Sequence, residues 1–351
     1  MKKRLLILSY TQFGYLTDTL KYCEYIRDEY DITYLGWDYG LPKIEMDGVR
    51  IEYISREGNI LKRNLTLLRA FNRQLNNQYD LVFANYFRGA SLIRLLNPGK
   101  KMILDIRTLA VSASPVKRLL FNSSIRIESL FFKKVSVISE GVAGQLWGKG
   151  YHVLPLGADA VSHPSGRKDD LHLLYVGTLQ NRDIIKCVKG FHLYVEEKGD
   201  KTASFTIIGD SPYDELTEIR SFIASKGLDK QVLCLGRIAH RDLKEHFAAA
   251  NVGVAFIPMT TYYDHQPPTK TFEYLLSGLV VIGTRTKENS KVLTDNPGAV
   301  LIDDNEADFA AALPELKDIL KDFDAAKTVE RSQQYSWHSI VKNDFLPLIR
   351  G

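Results

Sequence analysis

The sequence predicts an α/β chain of two domains, each a parallel β-sheet with helices on both faces. Short apolar runs of strand length alternate with segments of helical periodicity, the pattern of a covered parallel sheet. The alternation begins at Leu5 and begins afresh at Leu171, after a polar stretch. The 351 residues suffice for two domains of ordinary size, and 45% hydrophobic with 25% charged residues is the composition of a soluble globular protein.

Residues 5–9 form the first predicted strand. The loop 10–15 contains Gly14, and a helical pattern covers 16–26. Strand, glycine loop and helix suit a phosphate, and a plain tight turn equally well. Residues 32–35 and 49–53 are further strands. Residues 59–75 form an amphipathic helix, with Ile60, Leu61, Leu65, Leu68 and Phe71 as its apolar positions and Lys62, Arg63, Arg69 and Arg73 mostly elsewhere on the wheel. Strands at 81–84 and 102–105 alternate with helices. Asp105 and Arg107 sit at the carboxyl end of the latter, where such folds place their chemistry. An Asp–Arg pair that only ties down a loop is the competing reading. Residues 115–134 mix apolar Leu119, Leu120, Ile125, Ile127, Leu130, Phe131 and Phe132 with Lys117, Arg118, Arg126, Lys133 and Lys134. They read as a core helix with a basic outer face, or as a surface for an anionic membrane. A strand at 135–139 follows.

Residues 163–170 are polar, with Pro and Gly, and the hinge is placed there, between domains at 1–163 and 164–334. The second half then predicts strands at 171–176, 205–208, 232–235, 252–256 and 300–302. Helices are predicted at 184–198, 242–250, 306–322 and 325–334, with a closing helix in 335–351.

Residues 266–284, QPPTKTFEYLLSGLVVIGT, read as loop, helix, turn and buried strand. Pro267 and Pro268 stop any earlier helix. Phe272, Leu275 and Leu276 recur at helical spacing, and Gly278 fits the position past a helix end. Lys270 in the first turn runs against the helix dipole, which a phosphate held there would explain. Glu273, one turn on, is suited to accept hydrogen bonds from a sugar diol. A solvated Lys and Glu on an exposed face fit the local pattern as well.

This stretch resembles the donor-site helix of glycosyltransferase family 4, carried by Pro268, Lys270, Phe272, Glu273, Tyr274, Gly278 and Val280. Residues 153–159 (VLPLGAD) and 135–140 resemble further family segments. The resemblance implies the GT-B fold: two Rossmann-like domains whose parallel sheets face each other across a cleft, with an acceptor-binding first domain, a nucleotide-sugar-binding second domain and a C-terminal helix returning to the first. It implies that Glu273 binds the donor ribose and Lys270 the diphosphate. Members commonly carry an arginine after the glycine at Gly177; here Thr178 stands there, and Arg182 is the candidate for the diphosphate. Arg binds phosphate oxygens through two parallel hydrogen bonds. Gly209 opens a family-like turn, Arg237 lies in the loop that usually meets the base, and Gly14 approaches the diphosphate from the first domain. The family's second glutamate is replaced by His265, so Asp264 or His265 takes the sugar hydroxyls, with Gln266 and Thr269 beside them. A histidine common near Arg107 is replaced too, and no histidine precedes His152. If that role persists, Arg107 or Asp105 carries it.

Three separated cysteines, Cys23, Cys187 and Cys234, suggest neither a disulfide framework nor zinc. No cofactor or Asp-x-Asp metal motif is expected; the nucleoside-diphosphate sugar, of UDP or GDP type, is a co-substrate. The amino-terminal apolar run is too short for a signal peptide or a membrane span. Net charge is +4. Residues 61–134 alone carry 14 Lys/Arg against 3 Asp/Glu, which points to an anionic partner. No nucleic-acid module accompanies that charge.

The resemblance implies a retaining hexosyltransferase that works without a metal. Its acceptor would be a glycan or lipid-linked sugar, plausibly in bacterial surface-polysaccharide or capsule biosynthesis, with the enzyme cytoplasmic or peripheral on the inner membrane face. A nucleotide-sugar epimerase of the same architecture and an inactive sugar-nucleotide-binding paralogue are the alternatives. A dinucleotide dehydrogenase would need a Gly-x-Gly-x-x-Gly loop that the chain lacks.

Overall fold

A computed structural model of the protein describes residues 2–112, 114–163 and 170–351. The chain divides into two compact units, one of Met1–Leu156 with Trp337–Gly351 and the other of Gly157–Ser336. The predicted hinge, apart from His163 and Asp170, lies outside the described residues.

The first unit runs β1 (Lys3–Leu8), α1 (Thr17–Ile26), β2 (Tyr30–Asp38), β3 (Val49–Ser55), α2 (Ile60–Gln74), β4 (Leu81–Asn85), α3 (Ala90–Leu96), β5 (Met102–Ile106), α4 (Pro115–Ser129), β6 (Lys134–Val137), α5 (Glu140–Ala143) and β7 (His152–Val153). The seven strands form one sheet in the order β3-β2-β1-β4-β5-β6-β7, every pairing parallel. Leu5, Leu6, Ile7 and Leu8 are fully buried, as a strand covered on both faces requires. The strand order reverses between β1 and β4, so the crevice for a ligand opens at their carboxyl ends.

The unit is completed from the far end of the sequence by α13 (Trp337–Ile340, the first helix after α12 below), a π-helical turn at Val341–Phe345 and α14 (Leu346–Arg350). Tyr22 of α1 stacks on Phe345 with centroids 4.0 Å apart and meets the edges of Phe83 and Trp337. Lys134 Nζ donates to the carbonyl of Leu348 at 2.7 Å.

Two helices depart from the sequence expectation. The α2 helix starts where Asn59 accepts from the Lys62 N–H at 2.9 Å. Its buried residues are Leu67 and Phe71, whereas Leu61 is 79% exposed and Ile60 and Leu65 are exposed too. The α4 helix is capped by Ser114 with Pro115 in its first turn. It is not a core helix: only Ile125, Glu128 and Ser129 are buried, and Leu120 is 67% exposed. In both cases helical periodicity is real, but much of the apolar stripe has no neighbour to cover it.

The second unit runs β8 (His172–Val176), α6 (Ile184–Lys198), β9 (Ser204–Ile208), α7 (Glu215–Ser225), β10 (Val232–Gly236), α8 (Lys244–Ala249), β11 (Val252–Ala255), α9 (Thr269–Leu276), β12 (Val280–Thr284), α10 (Lys287–Leu293), β13 (Ala299–Ile302), α11 (Glu306–Asp322) and α12 (Ala325–Ser332). Its six strands are parallel in the order β10-β9-β8-β11-β12-β13, repeating the topology of the first sheet. One face packs Phe191, Ile219, Phe205 and Phe309 under α6, α7 and α11. The other packs Phe247, Tyr274 and Leu275 under α8 and α9. The helix predicted at 242–250 opens as a 3-10 turn, His240–Asp242, before α8. The two passages of chain at the ends of this unit lie side by side, joined by a hydrogen bond from Ala158 N–H to the carbonyl of Tyr335 at 2.9 Å. No described helix is long and apolar enough to cross a membrane.

Candidate functional site

In the second unit β8 and β11 are neighbours at the reversal of strand order, and their carboxyl ends open into a pocket of about 230 Å³. Gly177, Thr178 and Arg182 form one side of it; Tyr263, Gln266, Thr269 and Lys270 form the other. The α9 helix is pinned so that its amino end meets this space. The Val176 N–H donates to Tyr274 Oη at 2.9 Å, Thr271 Oγ1 donates to Asn289 Oδ1 at 3.0 Å, and Phe272 stacks on Tyr335 at 4.8 Å. Residue 253 must be glycine, because a Cβ there would enter the Tyr274 ring.

Lys270 Nζ donates to Glu273 Oε2 at 2.6 Å, and the Glu273 side chain is 9% exposed. This carboxylate offsets the unfavourable placing of a cation in the first helical turn. Across the pocket, the Arg182 guanidinium lies 4.3 Å from the centre of the Tyr263 ring. Its Nη1 is buried with no hydrogen-bond partner. On either side Asn181 and Asp183 have φ of 55° and 53°, left-handed values that cost non-glycine residues about 1–3 kcal/mol each. The loop thus holds strain on both sides of an arginine with an unmet donor. The Tyr175 hydroxyl braces it by donating to the Thr178 carbonyl at 2.6 Å, and burial raises the pKa of that hydroxyl. Gly209 permits the close approach of this loop: a Cβ there would overlap the Gly177 carbonyl oxygen.

The other sequence candidates of this unit fall outside that lining. Asp264 accepts from the Lys287 N–H at 2.8 Å and pairs with Lys287 Nζ at 3.3 Å, so its carboxylate serves the start of α10. His265 is half-buried beside it, and Arg237 is exposed in the loop after β10. The sequence reading did not single out Tyr263 as the platform for Arg182; its only signal was the aromatic character of residues 259–266.

In the first unit Asp105 is completely buried, accepting from Ser136 Oγ at 2.7 Å and Asn85 Nδ2 at 3.3 Å. Burial pushes its carboxyl up to about 6, against the opposing pull of Arg107. Arg107 is engaged on several sides: Nε lies 2.5 Å from Asp18 Oδ2 and Nη1 donates to the Leu154 carbonyl at 2.7 Å. It therefore ties α1, β5 and the chain after β7 together. Gly14, with φ of 88°, packs against the Ile44 side chain. Asp105 and Arg107 also border a pocket of about 330 Å³, whose walls include Trp37, Tyr39, Arg56, Arg63 and Phe121. No local pattern marks this second pocket beyond the regional excess of basic residues. Among the described residues, no group of three or more His, Cys, Asp or Glu side chains is placed to hold a metal ion.

Residues 170–318 match the family model described as Glycosyl transferases group 1. No curated protein matches the chain. Among solved structures, sucrose-phosphate synthase from Thermosynechococcus elongatus is 15% identical, with TM-score 0.76, over 100% of this chain and 98% of that one. HepE from Anabaena, in complex with UDP and glucose, is 12% identical, with TM-score 0.75, over 99% of each chain. The lipopolysaccharide outer core galactosyltransferase WaaB is 13% identical, with TM-score 0.69, over 100% of this chain and 99% of that one. These likenesses establish the fold as GT-B.

Proposed function

We propose that this glycosyltransferase, whose residues 170–318 match the glycosyl transferases group 1 model, moves a hexose from a nucleoside-diphosphate sugar to a glycan or lipid-linked acceptor, with retention and without a metal. The observation that carries the reading is that Arg182 and Lys270 line one pocket together at the amino end of α9. Such a cradle suits the diphosphate, because free N–H groups, the dipole and two cations favour an anion together. Glu273, already on α9, would take the ribose hydroxyls, and Lys270 would exchange part of its contact with Glu273 for a phosphate oxygen. As the bond from the anomeric carbon to the diphosphate breaks, Arg182 and Lys270 stabilise the charge developing on the leaving oxygen. The acceptor oxygen attacks from the same face and gives its proton to that oxygen, so no strong protein base is required. That HepE is solved with UDP and with UDP-glucose favours uridine over guanosine as the base in this reading.

A thermal-shift series with UDP, GDP, ADP and dTDP tests the donor site. A nucleotide at a hundred times its Kd stabilises the native state by about 2.7 kcal/mol. Stabilisation by UDP that is lost in Lys270→Ala and Glu273→Ala supports the reading; no stabilisation by any nucleotide refutes it. Transfer activity unchanged by EDTA is expected, and loss of activity would overturn the metal-independent mechanism.

We further propose that the first unit rests on an anionic membrane through the uncovered ends of α2 and α4, consistent with assembly of surface polysaccharide. Exposed Ile60, Leu61, Val116, Leu119 and Leu120 alternate there with Lys62 and Lys117. Each surface cation is worth roughly 1 kcal/mol near anionic lipid. Liposome flotation that does not depend on anionic lipid would refute this.

A further inference from the structure

The 330 Å³ pocket of the first unit is lined by residues of that unit alone. Its size falls within the range of small-molecule sites, about 300–1,000 Å³. Its walls are aromatic and cationic together. The Arg56 guanidinium lies 3.9 Å from the centre of the Tyr39 ring and 4.9 Å from that of Trp37. Arg88 lies 5.7 Å from the centre of Phe121. The Nε atoms of Arg56 and Arg63 and the Trp37 Nε1 are all buried without a hydrogen-bond partner. Among the described residues no carboxylate pairs with Arg56, Arg63 or Arg88. The one acidic residue in the wall, Asp105, is occupied by Ser136 and Asn85.

We propose that this pocket binds an anionic sugar unit, its ring faces against Tyr39 and Phe121 and its carboxylate or phosphate on Arg56 and Arg63. Guanidinium groups without a carboxylate partner give the wall a positive charge that an anionic group neutralises through charge-assisted hydrogen bonds. The Arg56 guanidinium, already stacked on Tyr39 and Trp37, is held in place, so little of its freedom is lost when it forks onto an anion. The flat aromatic surfaces take the C–H faces of a pyranose, which a bare anion would leave uncovered. The inference rests on the transferase reading in one respect: the bound unit is then part of the acceptor.

Titration of the full chain, followed by saturation-transfer NMR, tests it with sodium glucuronate, glucose 1-phosphate, glucose and inorganic phosphate as probes. One or both anionic sugars bind saturably, glucose and inorganic phosphate at least about tenfold more weakly, as loss of a charge-assisted hydrogen bond or of ring contact requires. Whichever anionic sugar binds more tightly identifies the group as carboxylate or phosphate. The double variant Arg56→Gln, Arg63→Gln weakens the anionic sugar by a similar factor and leaves the UDP thermal shift unchanged. Arg88→Gln, on a different loop, does the same to a lesser degree if the double variant fails to fold. Glucose or phosphate binding as tightly as the anionic sugars overturns the proposal, as does retained binding in the variants. A UDP shift lost in these variants overturns it too, by showing that the arginines serve the nucleotide. Glucuronate binding with no UDP shift in the wild type would instead overturn the donor-site reading and leave this one standing.

Discussion

Replacing Arg182 by methionine separates stability from binding. The aliphatic stem can still cover Tyr263, but the buried Nη1 without a partner disappears. An unsatisfied buried donor costs about 1–3 kcal/mol. Against its removal stands the lost cation–π contact, worth about 0.5–2 kcal/mol. The ligand-free variant is therefore expected to lie between about 1 kcal/mol below the wild type and about 2.5 kcal/mol above it. For a unit of this size the Tm moves by roughly 2–4 °C per kcal/mol. Nucleotide binding moves the other way. Loss of one hydrogen bond to a charged group, about 1.5–3 kcal/mol, weakens UDP by roughly 10- to 150-fold. Thermal melts followed by circular dichroism, paired with calorimetric titration of UDP, measure both. A variant that melts well below the wild type yet binds UDP equally would refute the reasoning, because Arg182 would then be a structural brace.

Three further outcomes are expected. Gly209→Ala drives a methyl into the Gly177 carbonyl and costs about 3 kcal/mol or more in urea unfolding, the upper range of overpacking. Tyr274→Phe leaves the buried Val176 N–H without its acceptor and costs about 1–3 kcal/mol, with weaker UDP binding as α9 loosens. Asp105 titrates near 6 when folded against 3.8 for the free carboxyl, so the folded state holds its proton longer. Stability contributed at this site is thus lost as pH rises from about 4 to 6, by about 3 kcal/mol at most. Urea unfolding of Asp105→Asn, compared with the wild type across that range, should show a flatter profile.

The strands were legible because a strand buried on both faces writes a continuous apolar run, as in LLIL of β1 and VVI of β12. The α6 and α11 helices were equally plain, each carrying a full apolar stripe. The α7 helix was not singled out, because only Ile219 and Ile223 of its residues are buried among charged neighbours. Exposure misled at α2 and α4, where periodicity shows which residues share a face but not whether anything covers it. In the candidate site, Lys270 and Glu273 stood out because a cation opening a helix conflicts with its dipole. The left-handed residues around Arg182 and the capture of Asp264 by α10 depend on tertiary packing and leave no local trace. The first unit's pocket gathers Trp37, Arg56, Phe121 and their neighbours from a strand end, a loop and a helix far apart in the chain.

The last fifteen residues belong to the core of the first unit, with Phe345 stacked on Tyr22. On a ribosome, Tyr22 and Phe83 emerge long before Trp337 and Phe345, which complete their ring cluster, have been made. During that interval the apolar surface around Tyr22 and Phe83 stands open to chaperones, and a stalled or prematurely terminated chain would remain in that state.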